Sequence, residues 1–447
     1  MKKRLLAMAV GVSLSMPLFT GVVNAGVLDN PQDKAYVVRN VLPDNGKAQK
    51  EALTPGKVEK LAPLANKMVD KQLTPEAAKL YRYLLAVSQA GKVIYGHQND
   101  THHKMFRVDS GSASDCKDVT GSIAGVVGMD SLSLTGDELK LTAEEKASGV
   151  TYTDKLVKIA ADADKQGAII TFSMHMPNFD VVAKKPRING AYDFQGYSPH
   201  VLTGDVGKRI LPEGDLNEVY RAYLDMVADF ALRLQDKHIP VIFRPLHEHN
   251  GFWFWWGGRN ISSKDFTALW KYTVGYMRDV KGVHNFLYAY SPNGPFADET
   301  AYLDRYPGDD YVDILGVDTY DDDQSGAWYK NLSQTLTVME KLGQKRHKVI
   351  ALTEAGVRKG GSLAVRDNVD KQWFSKTGDI CREHKAAYYM VWANFDKEEH
   401  NFFMPYMVDD NRGHEMINEF TAFYNAPESI FADGNTNYKK LQAGTVK

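Results

Sequence analysis

The chain has 447 residues, 43% hydrophobic and 25% charged, the proportions of an ordinary globular protein, which excludes disordered, collagen-like and coiled-coil classes. Its formal charge of −2 gives no electrostatic footprint for nucleic acid or an anionic membrane. Two cysteines, Cys116 and Cys381, are too few for a disulfide scaffold, and their spacing leaves open whether they pair.

At the N-terminus Lys2, Lys3 and Arg4 precede an apolar run from Leu5 to Val23 and the small-residue site Val23-Asn24-Ala25. This pattern predicts a secretory signal over residues 1–25, cleaved after Ala25, and hence an extracellular or periplasmic protein. The three basic residues leave with it, so the formal charge falls from −2 to −5. Residues 26–75 are polar and interrupted by Pro31, Pro43, Pro55 and Pro63, with a short amphipathic stretch near 57–70, and read as an N-terminal extension packed on the main domain. That domain is expected over 76–430, with a C-terminal tail at 431–447.

From Thr74 onward short apolar runs alternate with amphipathic helices, the pattern of successive βα units. The spacing predicts strands at Lys92–Gly96, Ile123–Met129, Ala168–Met174, Pro240–Leu246, Asn285–Tyr290, Asp313–Val317, Lys348–Thr353 and Ala387–Ala393. Helical periodicity is clearest at 154–166, 216–237, 263–280, 329–343, 367–384 and 413–424. Segments 97–121 and 176–213 are weakly periodic and read as long loops. A doubly wound open sheet would also alternate, but neither G-x-G-x-x-G nor a P-loop is present, and eight strands favour a closed (β/α)8 TIM barrel with long βα loops.

In such a barrel the C-terminal strand ends carry the chemistry. Here they read His97-Gln98, Asp130, His175, His247-Glu248-His249, Ser291-Pro292-Asn293, Asp318-Thr319-Tyr320, Glu354 and Trp392-Ala393-Asn394. Glu248 and Glu354 each follow an apolar strand, and two opposed carboxyls at a barrel mouth suit glycoside hydrolysis, in which one donates a proton and the other acts as nucleophile or base. A purely structural role, each glutamate paired with an arginine such as Arg244, stays open; by strand parity Arg244 shares a face with Glu248. Between the glutamates, Phe252-Trp253-Phe254-Trp255-Trp256 holds three of the seven tryptophans. Aromatic faces there can stack on pyranose rings or pack beneath the loop. If the strand continues, His247 and His249 share one face and Glu248 takes the other; no H-E-x-x-H spacing supports zinc. Asp321-Asp322-Asp323 reads as a solvated acidic loop without the pattern of a calcium hand. Neither a metal nor a cofactor is expected.

The stretch Arg244-Pro245-Leu246-His247-Glu248 with Asn250-Gly251 and Trp253-Phe254-Trp255-Trp256-Gly257, together with Thr353-Glu354-Ala355-Gly356, resembles glycoside hydrolase family 26, the clan A β-mannanases. The resemblance covers roughly residues 76–425 and implies a (β/α)8 barrel with Glu248 as acid/base and Glu354 as nucleophile. It further implies substrate contacts by His175, His247, Trp253 and Trp392, and a Tyr320 that, with Asp318, orients the nucleophile. The implied activity is hydrolysis of β-1,4-mannosidic linkages by double displacement, with β-mannan or manno-oligosaccharide as partner and a monomeric enzyme. A β-1,3-xylanase, a mixed-linkage β-glucanase, a non-catalytic carbohydrate-binding protein and a metal-dependent hydrolase are the alternatives. Two positions depart from the family: the loop Pro177–Pro212 carries Tyr192, Phe194 and Tyr197 but no tryptophan, and Ala393 stands where some members have arginine.

Overall fold

The computed structural model describes residues 36–44, 46, 53–395 and 401–446; the expected signal lies outside them. Eight strands, β1 Val93–Gln98, β2 Val126–Asp130, β3 Ile169–Ser173, β4 Val241–Arg244, β5 Phe286–Tyr290, β6 Ile314–Asp321, β7 Val349–Val357 and β8 Ala386–Val391, pair in sequence order. All neighbours are parallel, and β8 closes on β1 with Tyr388 opposite Ile94. The strands are near-continuous runs of β-branched, aromatic and other apolar residues because both faces are covered.

A helix follows every strand: α1 Asp115–Thr120, α2 Tyr152–Lys165, α3 Asn217–Gln235, α4 Ser263–Gly275, α5 Glu299–Leu303, α6 Ala327–Arg346, α7 Trp373–Glu383 and α8 Ile417–Asn425. The six predicted helices all form, within a few residues. Helix α7 starts later than expected because Asp367 adopts φ 62° and Asn368 turns toward Glu415. The remaining two, α1 and α5, have six and five residues, too few to leave a periodic signal. The outward strand residues, among them Tyr95, Phe172, Phe243, Tyr288 and Leu352, pack beneath this ring.

Inside the barrel Ile94, Val126, Ile169, Ile242, Leu287, Ile314 and Val349 form the layer at the N-terminal ends of the strands. Higher up the layers turn polar. A Cβ on Gly128 would lie 1.9 Å from Gln98 Oε1, and one on Gly316 would lie 2.6 Å from Thr353 Oγ1, so these glycines make room for inward polar side chains.

A helix over Pro75–Gln89, capped by Thr74 and not singled out from the sequence, closes the N-terminal end of the barrel with Leu80, Tyr83, Leu84 and Val87. Its Arg82 is fully buried and donates to the carbonyls of Pro63 at 3.2 Å and Gln442 at 2.6 Å, joining the N-terminal extension to the C-terminal segment. In the extension, residues Pro55–Leu61 are helical, and the rest of the expected amphipathic stretch is not, since Ala65–Asn66 pairs with Thr445–Val446 as strand. Ser429–Ile430 runs parallel to Val93–Ile94, and Asn435 donates to Gly125 O at 2.7 Å while accepting from the Tyr83 hydroxyl. Cys116 and Cys381 are separate, buried free thiols.

Because Leu80 is fully buried between this helix and the inner strand residues, Leu80→Ala is expected to lower the unfolding free energy by about 2–5 kcal/mol. Denaturant titration measures this loss.

Candidate active site

The polar strand ends converge at the C-terminal mouth of the barrel, around Arg244. This guanidinium, 1% exposed at the end of β4, donates to Asp318 Oδ2 at 2.7 Å and to Glu354 Oε2 at 2.6 Å. The local pairing of Arg244 with Glu248 that strand parity allowed is not made. Pro245 ends β4, and Leu246 and Glu248 then take φ values of 51° and 49°, so alternation stops. Glu248 is held in this turn by its backbone N–H, which donates to Ser291 O at 2.8 Å.

The same turn separates the two histidines expected on one face. His247 Nε2 meets His175 Nε2 at 3.0 Å, whereas His249 packs between Phe266 and Tyr290, with ring centroids 4.3 and 4.8 Å away. Among the described residues no cluster of three metal-ligating side chains forms.

Glu354 reaches the mouth through a bulge. Val317 pairs with Leu352, but Asp318 pairs with Glu354, so Thr353 is the extra residue in β7. Its hydroxyl donates to Asp318 Oδ1 at 2.7 Å. Strict alternation from Val349 and Ala351 would turn Thr353 inward and Glu354 out among the helices; the bulge turns both inward. Glu354 Oε1 then accepts from the Tyr320 hydroxyl at 2.6 Å. Asp318 and Tyr320, two residues apart, thus act on the same carboxylate, Tyr320 directly and Asp318 through Arg244.

The two glutamates occupy different electrostatic settings. Glu248 accepts a hydrogen bond from Trp253 Nε1 at 2.7 Å, but burial first and the nearby charge of Glu354 second push its carboxyl up to about 7. Glu354 takes two donors, Arg244 and Tyr320, both of which favour its anion. Burial alone would lower the Arg244 guanidinium; the charges of Asp318 and Glu354 outweigh it and hold Arg244 above its ordinary value.

A second charged chain lies beside the first. Asp130 Oδ2 meets His175 Nδ1 at 2.8 Å and accepts from Ser173 Oγ at 2.6 Å. Burial opposes the His175 cation, yet the Asp130 charge raises His175, while burial and then Arg244 and His175 drive His247 well below its ordinary value. The arrangement thus favours the charged form of His175 and disfavours that of His247. Asp130 and the Arg244 bridge were not among the predicted site residues; their inward parity at strand ends was the available signal.

The aromatic run divides. Trp255 and Trp256 are buried, their Nε1 atoms donating to Pro177 O at 3.0 Å and His247 O at 2.8 Å, and Phe254 stacks on Trp256 with centroids 4.3 Å apart. Trp253 stays half-buried beside Glu248, and Trp392 stays half-buried 5.4 Å from the His175 ring. Of the acidic triplet, Asp321 is buried and accepts from Trp373 Nε1, contrary to a solvated loop, while Asp322 and Asp323 are exposed. Two carboxyls at one mouth, one raised to about 7 and one taking two strong donors, can together deliver a proton and a nucleophile across one bond.

Residues 69–404 match the family model described as glycosyl hydrolase family 26. A mannan endo-1,4-beta-mannosidase of Bifidobacterium adolescentis is 34% identical over 393 residues, 85% of this chain and 37% of that protein. One from Bacillus subtilis strain 168 is 32% identical over 238 residues, 51% of this chain and 56% of that protein. The chain thus spans only 37% and 56% of the lengths of these two relatives. Among solved structures, the catalytic domain of the Bacillus sp. JAMB-750 GH26 endo-beta-1,4-mannanase superposes with TM-score 0.76 at 34% identity, covering 86% of this chain and 98% of that one. A modular endo-beta-1,4-mannanase from Cellulomonas fimi gives 0.73 at 33% identity, covering 85% and 80%.

Removing Arg244 strands two buried carboxylates, so Arg244→Ala is expected to lose about 3–5 kcal/mol of stability. Adding Asp318→Asn and Glu354→Gln should recover part of that loss in the same denaturation assay.

Proposed function

The chain belongs to glycosyl hydrolase family 26, and on that premise we propose that it is a secreted, retaining mannan endo-1,4-β-mannosidase acting as a monomer. The observation that carries the mechanism is the unequal pair at the barrel mouth: Glu248, raised to about 7, beside a Glu354 carboxylate fixed by Arg244 and Tyr320.

In the first displacement Glu354 attacks the anomeric carbon while Glu248 transfers its proton to the departing glycosidic oxygen. The bond between sugar and leaving oxygen breaks as the bond to Glu354 forms. Loss of the Glu354 charge in the glycosyl-enzyme removes the second cause of the raised Glu248 value, so Glu248 emerges as the base for the incoming water. Water then attacks the same carbon and frees Glu354, returning the product with its original anomeric configuration.

Around the reacting sugar, the half-buried Trp392 and Trp253 offer aromatic surface, and the hydrogen-bonded His175–His247 pair lies beside Trp392. The mild net charge suits a neutral polymer such as β-mannan, which is bound by stacking and hydrogen bonding rather than electrostatic steering. The signal-like pattern at 1–25 supports export, and the catalytic domain is read over 76–430. No helix among the described residues is long and apolar enough to cross a membrane.

Digestion of mannan, glucomannan, xylan and lichenan, with the first product anomer read by proton NMR, tests the assignment. β-Configured manno-oligosaccharides are expected; α products, or preference for xylan or lichenan, would overturn it. The Glu248 carboxyl is protonated below about 7 and ionised above, and only the protonated form can donate. The kcat/KM for mannan should therefore fall as pH rises through that value. With an activated aryl mannoside, which needs no protonation, the Glu248→Gln enzyme should lose this alkaline limb.

A further inference from the structure

Next to the Trp253 that holds Glu248, the loop after β4 presents one ring to solvent. Phe252 is 54% exposed, and among the described residues no other phenyl, phenol or indole ring is as open to solvent. The exposure does not come from a loose loop. Gly258 N–H donates to Gly251 O at 2.6 Å, and Asn250 holds the backbone of Asn293 through two bonds of 2.8 Å. A Cβ on Gly257 would lie 2.5 Å from Gly251 O, so the turn is closed as tightly as its glycines permit.

Phe252 meets Trp253 edge to face, with centroids 5.3 Å apart, and the Arg259 guanidinium lies 4.9 Å from its ring centre. Trp253 in turn donates to Glu248. A line of groups therefore runs outward from the proton donor, through the indole, to an open phenyl ring backed by a cation. From the loop after β3, His200 Nδ1 lies 2.9 Å from Trp253 O, and the next residues, Val201 and Leu202, are 36% and 39% exposed. Two loops thus bring exposed apolar surface together beside Trp253, the indole that holds the proton donor.

We propose that Phe252, backed by Arg259, is the stacking platform for the second sugar of the leaving group, doing in this chain what its tryptophan-free loop after β3 does not. The occupant is a neutral hexopyranose unit of the chain being released, its C–H face lying on the phenyl ring. This inference rests on the mannanase reading above, because that reading decides which side of Glu248 receives the leaving group.

The test compares mannopentaose, which can reach past Trp253 on the leaving side, with 4-nitrophenyl β-mannobioside, whose aryl group ends beside it. For Phe252→Ala the ratio of kcat/KM on the pentaose to that on the aryl bioside is expected to fall about tenfold, the scale of one lost aromatic contact. Phe252→Trp should keep the ratio near that of the unaltered enzyme. An unchanged ratio for Phe252→Ala, with both rates kept or both depressed alike, would overturn the proposal, as would a Phe252→Trp ratio that falls with it. Failure of the unaltered protein to cleave either substrate would instead refute the mannanase reading, and this inference with it.

Discussion

A buried guanidinium holds the mouth of this barrel together. Arg244 has almost no contact with solvent, and its charge is tolerable only because Asp318 and Glu354 meet it at 2.7 and 2.6 Å. Those two carboxylates come from β6 and β7, so one side chain of β4 ties three strands at the level where chemistry would occur. The bridge also sets the direction of the Glu354 carboxylate, leaving its other oxygen to Tyr320. Around it the geometry has little freedom: the turn at Glu248, the bulge at Thr353 and the hydrogen bonds of Asp318 all fit one placement of this cation.

The backbone irregularities follow from the same requirement. Regular strands alternate in and out, and regularity would put Glu354 among the helices and run Glu248 on from Arg244 along one face. The extra residue at Thr353 and the left-handed residues Leu246 and Glu248 break both patterns at the rim. Such departures cost backbone energy and persist where surrounding contacts over-determine them. Here those contacts are visible: the Thr353 hydroxyl lies on Asp318, and the Glu248 amide lies on Ser291 O.

Having been brought together, the two glutamates are kept unlike by their neighbours. Glu354 receives two strong donors, whereas Glu248 has one indole N–H and a desolvated position facing the Glu354 charge. The Asp130–His175–His247 chain adds a second polar line, in which the Asp130 charge favours the His175 cation while burial and then Arg244 disfavour one on His247. The aromatic loop divides its labour in a similar way. Trp255 and Trp256 go inward with their N–H groups satisfied by carbonyls, and only Phe252 and Trp253 are left at the surface.

Much of this molecule is legible along the chain. Eight apolar runs mark the strands, since a parallel strand covered on both faces must be apolar throughout, and six helices long enough to repeat their pattern show themselves. Glu248 and Glu354 stand out because a carboxylate directly after such a run has few structural reasons to be there. Helices α1 and α5 are too short to repeat a pattern, and the helix that closes the barrel floor precedes the first strand, outside the βα alternation. What no local pattern could reveal was the partner of each charge. Arg244 meets residues 74 and 110 positions away, and a one-residue bulge decides whether Glu354 faces the cleft or the helices. Residue types and periodicity are properties of the chain, and they determined the barrel and its candidate acids by themselves. Which side chains meet at its mouth, and therefore how unlike the surroundings of the two carboxyls are, depends on closure of the sheet, and only the tertiary structure decided it.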